Sequence, residues 1–441
     1  MIKSFQSIFK IPDLKRRVLF TIGILLLYRV GSHVPMPGIN AVALTEWFNQ
    51  SSNTLFGLYD MFAGGAFSRA AIFGLGIMPY ISSSIIFQLM GSVIPYLQRL
   101  QKEGEEGRKK INQLTRYGTI FIAAMQALGA AIFLENLPAT RSGILAVPHP
   151  GFGFRLIVMV TLTAGTVLVM WMGEQITERG IGNGISLIIF IGIIGRFPIA
   201  LLDELQQLVG GNRSLLIEVI IFGIFLAIIA AVVIVTEGTR KIPVQYAKRV
   251  IGRKVYGGQA SYIPIRVSGF GVMAIIFAQA LMFIPQTIKQ FFPNNEFVAN
   301  ILSYFDLGSP VYWVFFGLLI LFFTYFYAAI AFNPQDVAEN MRKQGGFIPG
   351  VRPGKRTAEY IDHVLSRIML PAAAFFAVVA IFPYFVQKYF NVTSSFSGFF
   401  GGTSLLIMVG VALDTLQQIE SHLLMRHYDG FMKTGKMRGR R

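Results

Sequence analysis

The sequence predicts an all-α integral membrane protein of ten transmembrane helices, and three observations carry that prediction. Hydrophobic residues make up 54% of the 441 and charged residues only 14%, where soluble domains carry roughly a quarter charged. The apolar residues fall into ten runs of the length that crosses a bilayer, about twenty residues each. When those runs are counted as spans, the 39 lysines and arginines divide 31 to 8 between alternate sides. A miscounted span would scramble that alternation.

Taken in order, residues 1–17 form a basic N-terminus in which Ile2, Phe5, Ile8 and Phe9 lie among lysines as a short amphipathic stretch. This pattern suits the membrane surface rather than a cleaved signal peptide. The predicted spans are 18–34, 71–94, 117–134, 152–172, 181–202, 214–236, 269–288, 311–332, 364–386 and 401–419. The positive-inside rule places both termini in the cytoplasm. Ten spans with both ends on one side divide into two inverted five-helix halves, 18–202 and 203–419, followed by a basic tail over 420–441. The sequence shows no residue-level repeat, so the inverted pairing is architecture by analogy with transporter folds.

Residues Phe56 to Met90 break the simple pattern. A glycine-interrupted apolar piece, LYDMFAGGAFSRA, precedes a full span that carries Pro79 and a serine run. The first piece is too short to cross a bilayer and too apolar for a solvated loop. Irregular backbone at membrane depth survives only where protein or a water-filled cavity surrounds it, so this stretch is expected to be re-entrant.

Several function classes fall away. Cysteine is absent, which excludes disulfides and thiolate metal sites. The five histidines lie at span ends or in loops, unlike the paired ligands of a membrane haem. There is no Gly-rich loop ending in Gly-Lys-Ser/Thr, no HExxH, and no Ser-Lys or paired-Asp arrangement at facing depths. The chain is therefore expected not to be an enzyme and to hold no cofactor or metal. A ten-helix secondary transporter of small solutes is the alternative. Such proteins place ionisable residues near the midplane, and here the spans are almost free of them. Glu218 and Asp414 read as interfacial or capping carboxylates.

The two long basic connections, 237–268 and 333–363, invite a third reading. Ile242–Ala247 and Tyr262–Val267 have strand-like content around a basic, glycine-containing centre, which suggests a protruding hairpin. Topogenic charge explains a few of the cations; docking of an acidic protein or of RNA phosphate explains the length of both loops.

The motifs then resolve the class. GIMPYISSSIIFQLM at 76–90 and WMGEQITERGIGNGIS at 171–186 strongly resemble the SecY family, the pore subunit of the protein-conducting Sec translocon. MFAGGAFSRA at 61–70, YAKR at 246–249, GGFIPGVRPG at 345–354 and GGTSLLI at 401–407 fit as well, so the resemblance runs from the first span to the tail.

The resemblance implies an hourglass pore between the two halves, closed by a short re-entrant plug helix at about 55–69 that includes Met61, Phe62, Gly64, Gly65 and Arg69. It implies a ring of aliphatic side chains at Ile77, Ile81, Ile185, Ile189, Ile276 and Ile407. A narrow apolar ring dewets and blocks ions, yet parts around a peptide of any sequence. It implies a lateral gate between spans two and three on one side and seven and eight on the other, with polar contacts from Ser82, Ser83, Gln88, Gln126 and Gln279. Lys248, Arg249, Arg253, Arg352, Lys355 and Arg356 would dock the ribosome or the SecA motor ATPase. SecE-type and SecG-type small subunits, signal sequences, nascent polypeptides and membrane lipids complete the implied partners. The implied activity is outward passage of unfolded secretory polypeptides across the bacterial cytoplasmic membrane, with lateral release of transmembrane segments into lipid.

Overall fold

The computed structural model describes residues 11–50, 60, 62–138, 143–210, 214–246, 249–251, 254–256, 260–266, 271–291, 296–306, 309–390 and 392–434. The amphipathic stretch before residue 11, Met61, Lys248, Arg253 and the first part of the expected plug lie outside these residues.

A helix lies at each of the ten predicted spans. They are α1 (Pro12–Gly31), α3 (Met78–Val93), α5 (Glu105–Glu135), α6 (Phe152–Arg179), the consecutive α7 (Gly184–Ile194) and α8 (Phe197–Val209), α9 (Leu215–Glu237), α10 (Gly271–Phe291), α12 (Pro310–Ala331), α14 (Lys355–Phe390) and α16 (Gly402–Thr434). The remaining helices are connections: α2 (Ala41–Gln50), α4 (Pro95–Lys102), α11 (Glu296–Ser303), α13 (Pro334–Lys343) and the one-turn α15 (Ser394–Ser397). Among the described residues, seven helical stretches, with α7–α8 and α12–α13 each counted as one, are long and apolar enough to cross a membrane, or eight if α3 and α4, bent by 97°, count as one span. The other two are α1, whose ends carry charge, and α10, whose apolar centre is short.

The predicted boundaries shift where chemistry outside the apolar run decides. Span two begins at Met78 rather than 71, because residues 71–77 are turns. Pro79 sits in the first turn of α3, where its missing N–H costs nothing. Helices α5 and α14 extend well before their apolar runs through polar first turns, since nothing there breaks the helix. Glu218 occupies the first turn of α9, a favourable place for a carboxylate; Asp414 is exposed on α16.

The chain divides into two compact units. The first comprises Met1–Asp203, Phe283–Leu307 and Ile407–Arg441; the second comprises Glu204–Met282 and Gly308–Leu406.

In the first unit α5 and α6 run antiparallel. Arg116 pairs with Glu174 at 2.8 Å near one end and Arg155 with Glu135 at 2.7 Å near the other. Between these pairs Ala123, Ala127, Ala130 and Ala131 pack with Val158 and Leu162 in one buried cluster. Small residues let helices approach closely where no hydrophobic drive separates them from lipid. Ser83 on α3 donates to the Thr115 carbonyl of α5 at 2.8 Å, deep inside the unit.

The turn from α6 into α7 explains the 171–186 motif. A Cβ on Gly184 would overlap the Gly173 carbonyl oxygen, so the two helices cross almost backbone to backbone. The Gly184 amide donates to Thr177 Oγ1 at 2.9 Å, and Asn183 caps α7 by accepting from the Ser186 amide at 3.2 Å. The Ile181 amide donates to Thr21 Oγ1 of α1 at 3.1 Å, and the Gly182 amide to Gln418 Oε1 of α16 at 2.9 Å. The motif thus clamps a tight turn between the first and last long helices.

In the second unit the two basic connections share one sheet. Strand β1 (Thr239–Tyr246) pairs antiparallel with β4 (Ala260–Arg266), Ile242 opposite Ile263. The tip between them is a smaller hairpin of β2 (Arg249–Ile251) and β3 (Lys254–Tyr256). The expected hairpin is therefore present. The other edge of β1 takes β5 (Gly346–Phe347), Gln245 opposite Phe347, giving the order β4-β1-β5. Pro243 is tolerated in this central strand because β5 pairs only at Gln245 and Tyr246. Ile242, Val244 and Ile265 bury against Met341 of α13, Ile348, and Ile361 and Leu365 of α14.

Gly184→Ala should destabilise the fold by about 1–3 kcal/mol, the usual cost of overpacking. A lowered thermal unfolding midpoint of the detergent-solubilised protein checks this.

Candidate functional site

Residues 60–77 are rich in alanine and glycine and carry almost no β-branched residue. They form neither a span nor a solvated loop. Asp60 and Phe62 are helical; residues 63–77 are a chain of turns with one bridge, and nearly all are buried. The short plug helix implied by the resemblance is thus mostly turns within its described part, because glycines at 64, 65 and 76 take left-handed φ.

Buried backbone groups must be paired, and here the turns pair them locally. The amides of Gly65, Ala66, Ala70, Ala71, Gly74 and Gly76 donate to the carbonyls of Asp60, Ala63, Phe67, Ala66, Ala71 and Phe73 respectively. The Ile72 amide reaches the Val34 carbonyl at 2.9 Å, and the Met36 amide reaches Ala70 at 2.6 Å. Phe73 stacks on Tyr28 of α1, centroids 5.9 Å apart.

Polar contacts fasten the same segment to α1 and α7. Tyr28 Oη donates to the Ala63 carbonyl at 3.3 Å and Arg29 Nη1 to the Gly64 carbonyl at 3.1 Å. Arg196, just past α7, pairs with Asp60 at 2.9 Å, while the other Asp60 oxygen accepts the Ser68 amide at 2.8 Å. Arg69 Nη1 lies 2.8 Å from His33 Nε2. Gly64 approaches Gly192 of α7 so closely that a Cβ would stand 2.9 Å from its Cα. Phe62 meets Phe283 edge to face at 6.4 Å. None of these contacts needs covalent chemistry to form or break.

The other expected residues distribute as follows. Ile77, Ile81, Ile189, Ile276 and Ile407 are buried and Ile185 is half-buried over Gly173. All but Ile276 belong to the first unit. Phe62 and Gly64 reach α7 at Gly192, one turn beyond Ile189. Of the expected gate residues, Ser83 braces α3 against α5 and Gln88 donates to Ser84 Oγ within α3 at 3.2 Å. Ser82 is half-buried on α3. Gln126 Oε1 and Gln279 Nε2 are buried with no hydrogen-bond partner among the described residues. Arg352, Lys355 and Arg356 are exposed where β5 leads into α14, and Arg249 lies in β2 opposite Tyr256.

Comparison with known proteins agrees with this arrangement. The family model described as SecY matches residues 71–416. The chain belongs to the SecY family. It is 42% identical over 434 residues to the protein translocase subunit SecY of Aquifex aeolicus, covering 98% of this chain and 100% of that one. It is also 42% identical to the protein translocase subunit SecY of Escherichia coli, covering 97% of this chain and 96% of that one. A solved structure described as that of a protein conducting channel has the same fold, with TM-score 0.66, 16% identity and 92% of each chain covered. The likeness therefore extends over nearly the whole length of the curated relatives.

Residue-by-residue reading of the sequence missed Asp60, Arg29 and Arg196 as members of the site. Asp60 carried a usable signal, as the one acid in an otherwise apolar and small-residue stretch. Arg29 and Arg196 looked like span-end charges.

Gly64→Ala should displace the segment from α7 and destabilise the protein by about 1–3 kcal/mol, combining overpacking with a left-handed φ. The thermal unfolding midpoint of the purified protein measures it.

Proposed function

We propose that this chain is the pore subunit of a bacterial protein-conducting translocon and not itself an enzyme. It passes unfolded secretory polypeptides outward across the cytoplasmic membrane and releases transmembrane segments sideways into lipid. The observation that carries the reading is the buried, turn-built segment at 62–77 running directly into α3 at Ile77 and Ile81, in a chain 42% identical to protein translocase subunits. Such a segment has no use in a simple helix bundle. As a plug it closes the resting pore.

In this reading residues 18–202 and 203–419 are the two halves, and 1–17 and 420–441 are cytoplasmic. Ile77, Ile81, Ile185, Ile189, Ile276 and Ile407 form the ring, with Met61, Phe62, Gly64, Gly65 and Arg69 in the plug next to it. Ser82, Ser83, Gln88, Gln126 and Gln279 are the polar positions of the lateral gate, with Ser83 bracing α3 against α5 on its own side. The buried, unpaired Gln126 Oε1 and Gln279 Nε2 atoms support this, since an unpaired polar atom in a membrane gains from any partner a passing helix offers. Lys248, Arg249, Arg253, Arg352, Lys355 and Arg356 dock a SecA-type motor or the ribosome. The shared sheet supports a single docking face because it joins both basic connections. A SecE-type subunit clamps the two halves together, and a SecG-type subunit is a further membrane partner.

Photo-cross-linking from position 81 or 189 to a stalled secretory chain tests the pore; failure to cross-link from both would overturn it. Replacing Ile81 and Ile189 with glycine should raise ion leak in planar bilayers, and an unchanged current record would count against the ring. Arg352→Glu should abolish motor-driven secretion while the complex still assembles, and a normal secretion rate would remove Arg352 from the docking face.

A further inference from the structure

We propose that Asp60 and Arg196 form an electrostatic latch that holds the plug in its docked position, making each a positioning residue for channel closure. The proposal rests on the plug reading above and adds the interaction that decides when the plug lets go.

Three observations carry it. Asp60 is 1% exposed, yet it is a carboxylate in a segment of small and apolar residues. Both its oxygens are committed: Oδ2 to Arg196 at 2.9 Å and Oδ1 to the Ser68 amide at 2.8 Å. The same carboxylate therefore folds the segment back on itself and ties it to the end of α7. Finally, Asp60 lies among three guanidinium groups. Arg29 Nη1 holds the Gly64 carbonyl at 3.1 Å, and the Arg69 guanidinium packs against Gly65, 3.4 Å from where a Cβ there would stand. A Cβ on Gly195 would stand 2.7 Å from Arg29 Nη2, so Arg29 and Arg196 converge on one end of α7.

This arrangement makes departure abrupt. A buried carboxylate is tolerable only while paired and hydrogen-bonded. A plug shifted slightly away from α7 would leave Asp60 buried without Arg196, which is worse than either end state. The stable alternatives are full docking or release far enough for both charges to reach water. The excess of cations adds direction: without Asp60, Arg29, Arg69 and Arg196 repel one another across the docking site. A peptide in the pore would have to supply the free energy of breaking this one pair, and that sets a threshold a weak signal sequence does not reach.

The test uses the full chain in its reconstituted translocon. Asp60→Asn and Arg196→Gln should each raise resting ion leak roughly tenfold, the population shift expected from losing one charge-assisted contact. The swap Asp60→Arg with Arg196→Asp should bring leak back toward the parent value, a rescue that a merely structural role does not predict. Because the chain has no cysteine, Ala66→Cys gives an independent readout. Ala66 is fully buried, and a water-soluble maleimide should label this position faster when Asp60→Asn is added. Deleting residues 62–69 provides the control for the plug itself. Leak after deletion with normal leak and labelling in Asp60→Asn would overturn the latch and leave the plug standing. Normal leak in both would overturn the plug reading. If the single variants fail to assemble, the swap decides, and a swap that assembles but leaks as the deletion does would also overturn the latch.

Discussion

A lipid environment offers no hydrogen bonds, so every backbone amide and carbonyl at membrane depth must find its partner inside the protein. Most of this chain meets that demand with helices. The turns at 62–77 meet it with short-range amide–carbonyl bonds, and the rest of the first unit is arranged to make that possible. Helix α1 supplies the Tyr28 hydroxyl and the Arg29 guanidinium, the turn after it supplies the Val34 carbonyl, and α7 supplies close contact at Gly192. Without this enclosure the segment would have to become helix or leave the membrane.

Close enclosure in turn depends on small residues at chosen places. Gly173 and Gly184 let α6 and α7 cross nearly backbone to backbone, and this fixes where α7 presents Ile189 and Gly192. The alanines of α5 bring it against α6, and the two ion pairs at either end keep the helices in register. Dispersion at close range and a few fixed charges replace the hydrophobic drive that would hold a soluble core. The long motif at 171–186 therefore encodes geometry: Thr177 and Asn183 accept amides of the tight turn, and Glu174 pairs with Arg116 of α5.

The basic connections follow a different logic. They leave the apolar helices and build a soluble-style core of Ile242, Val244, Ile265, Met341 and Ile348 under a small sheet. The sheet turns two loops that are a hundred residues apart in sequence into one surface, with Arg352, Lys355 and Arg356 beside it. A shared sheet holds the exposed cations of the second connection beside the strands of the first.

The sequence alone determined what depends on local physics. Ten apolar runs of spanning length became ten helical positions, because an unbroken apolar stretch in lipid has no alternative to helix. The strand-like content of Ile242–Ala247 and Tyr262–Val267 around a basic, glycine-containing centre pointed to the hairpin, and the glycines after Asp60 announced irregular backbone. The motifs identified the family. Only the tertiary structure decided which distant residues meet. Nothing local to Asp60 points to Arg196, and nothing in Gly346–Phe347 announces a third strand beside β1. Ser83 could not be distinguished from Ser82 until α5 was seen to pack against it. Periodicity and composition report the environment a residue prefers, whereas an ion pair across more than a hundred residues is set by the path of the whole chain, which no local window contains.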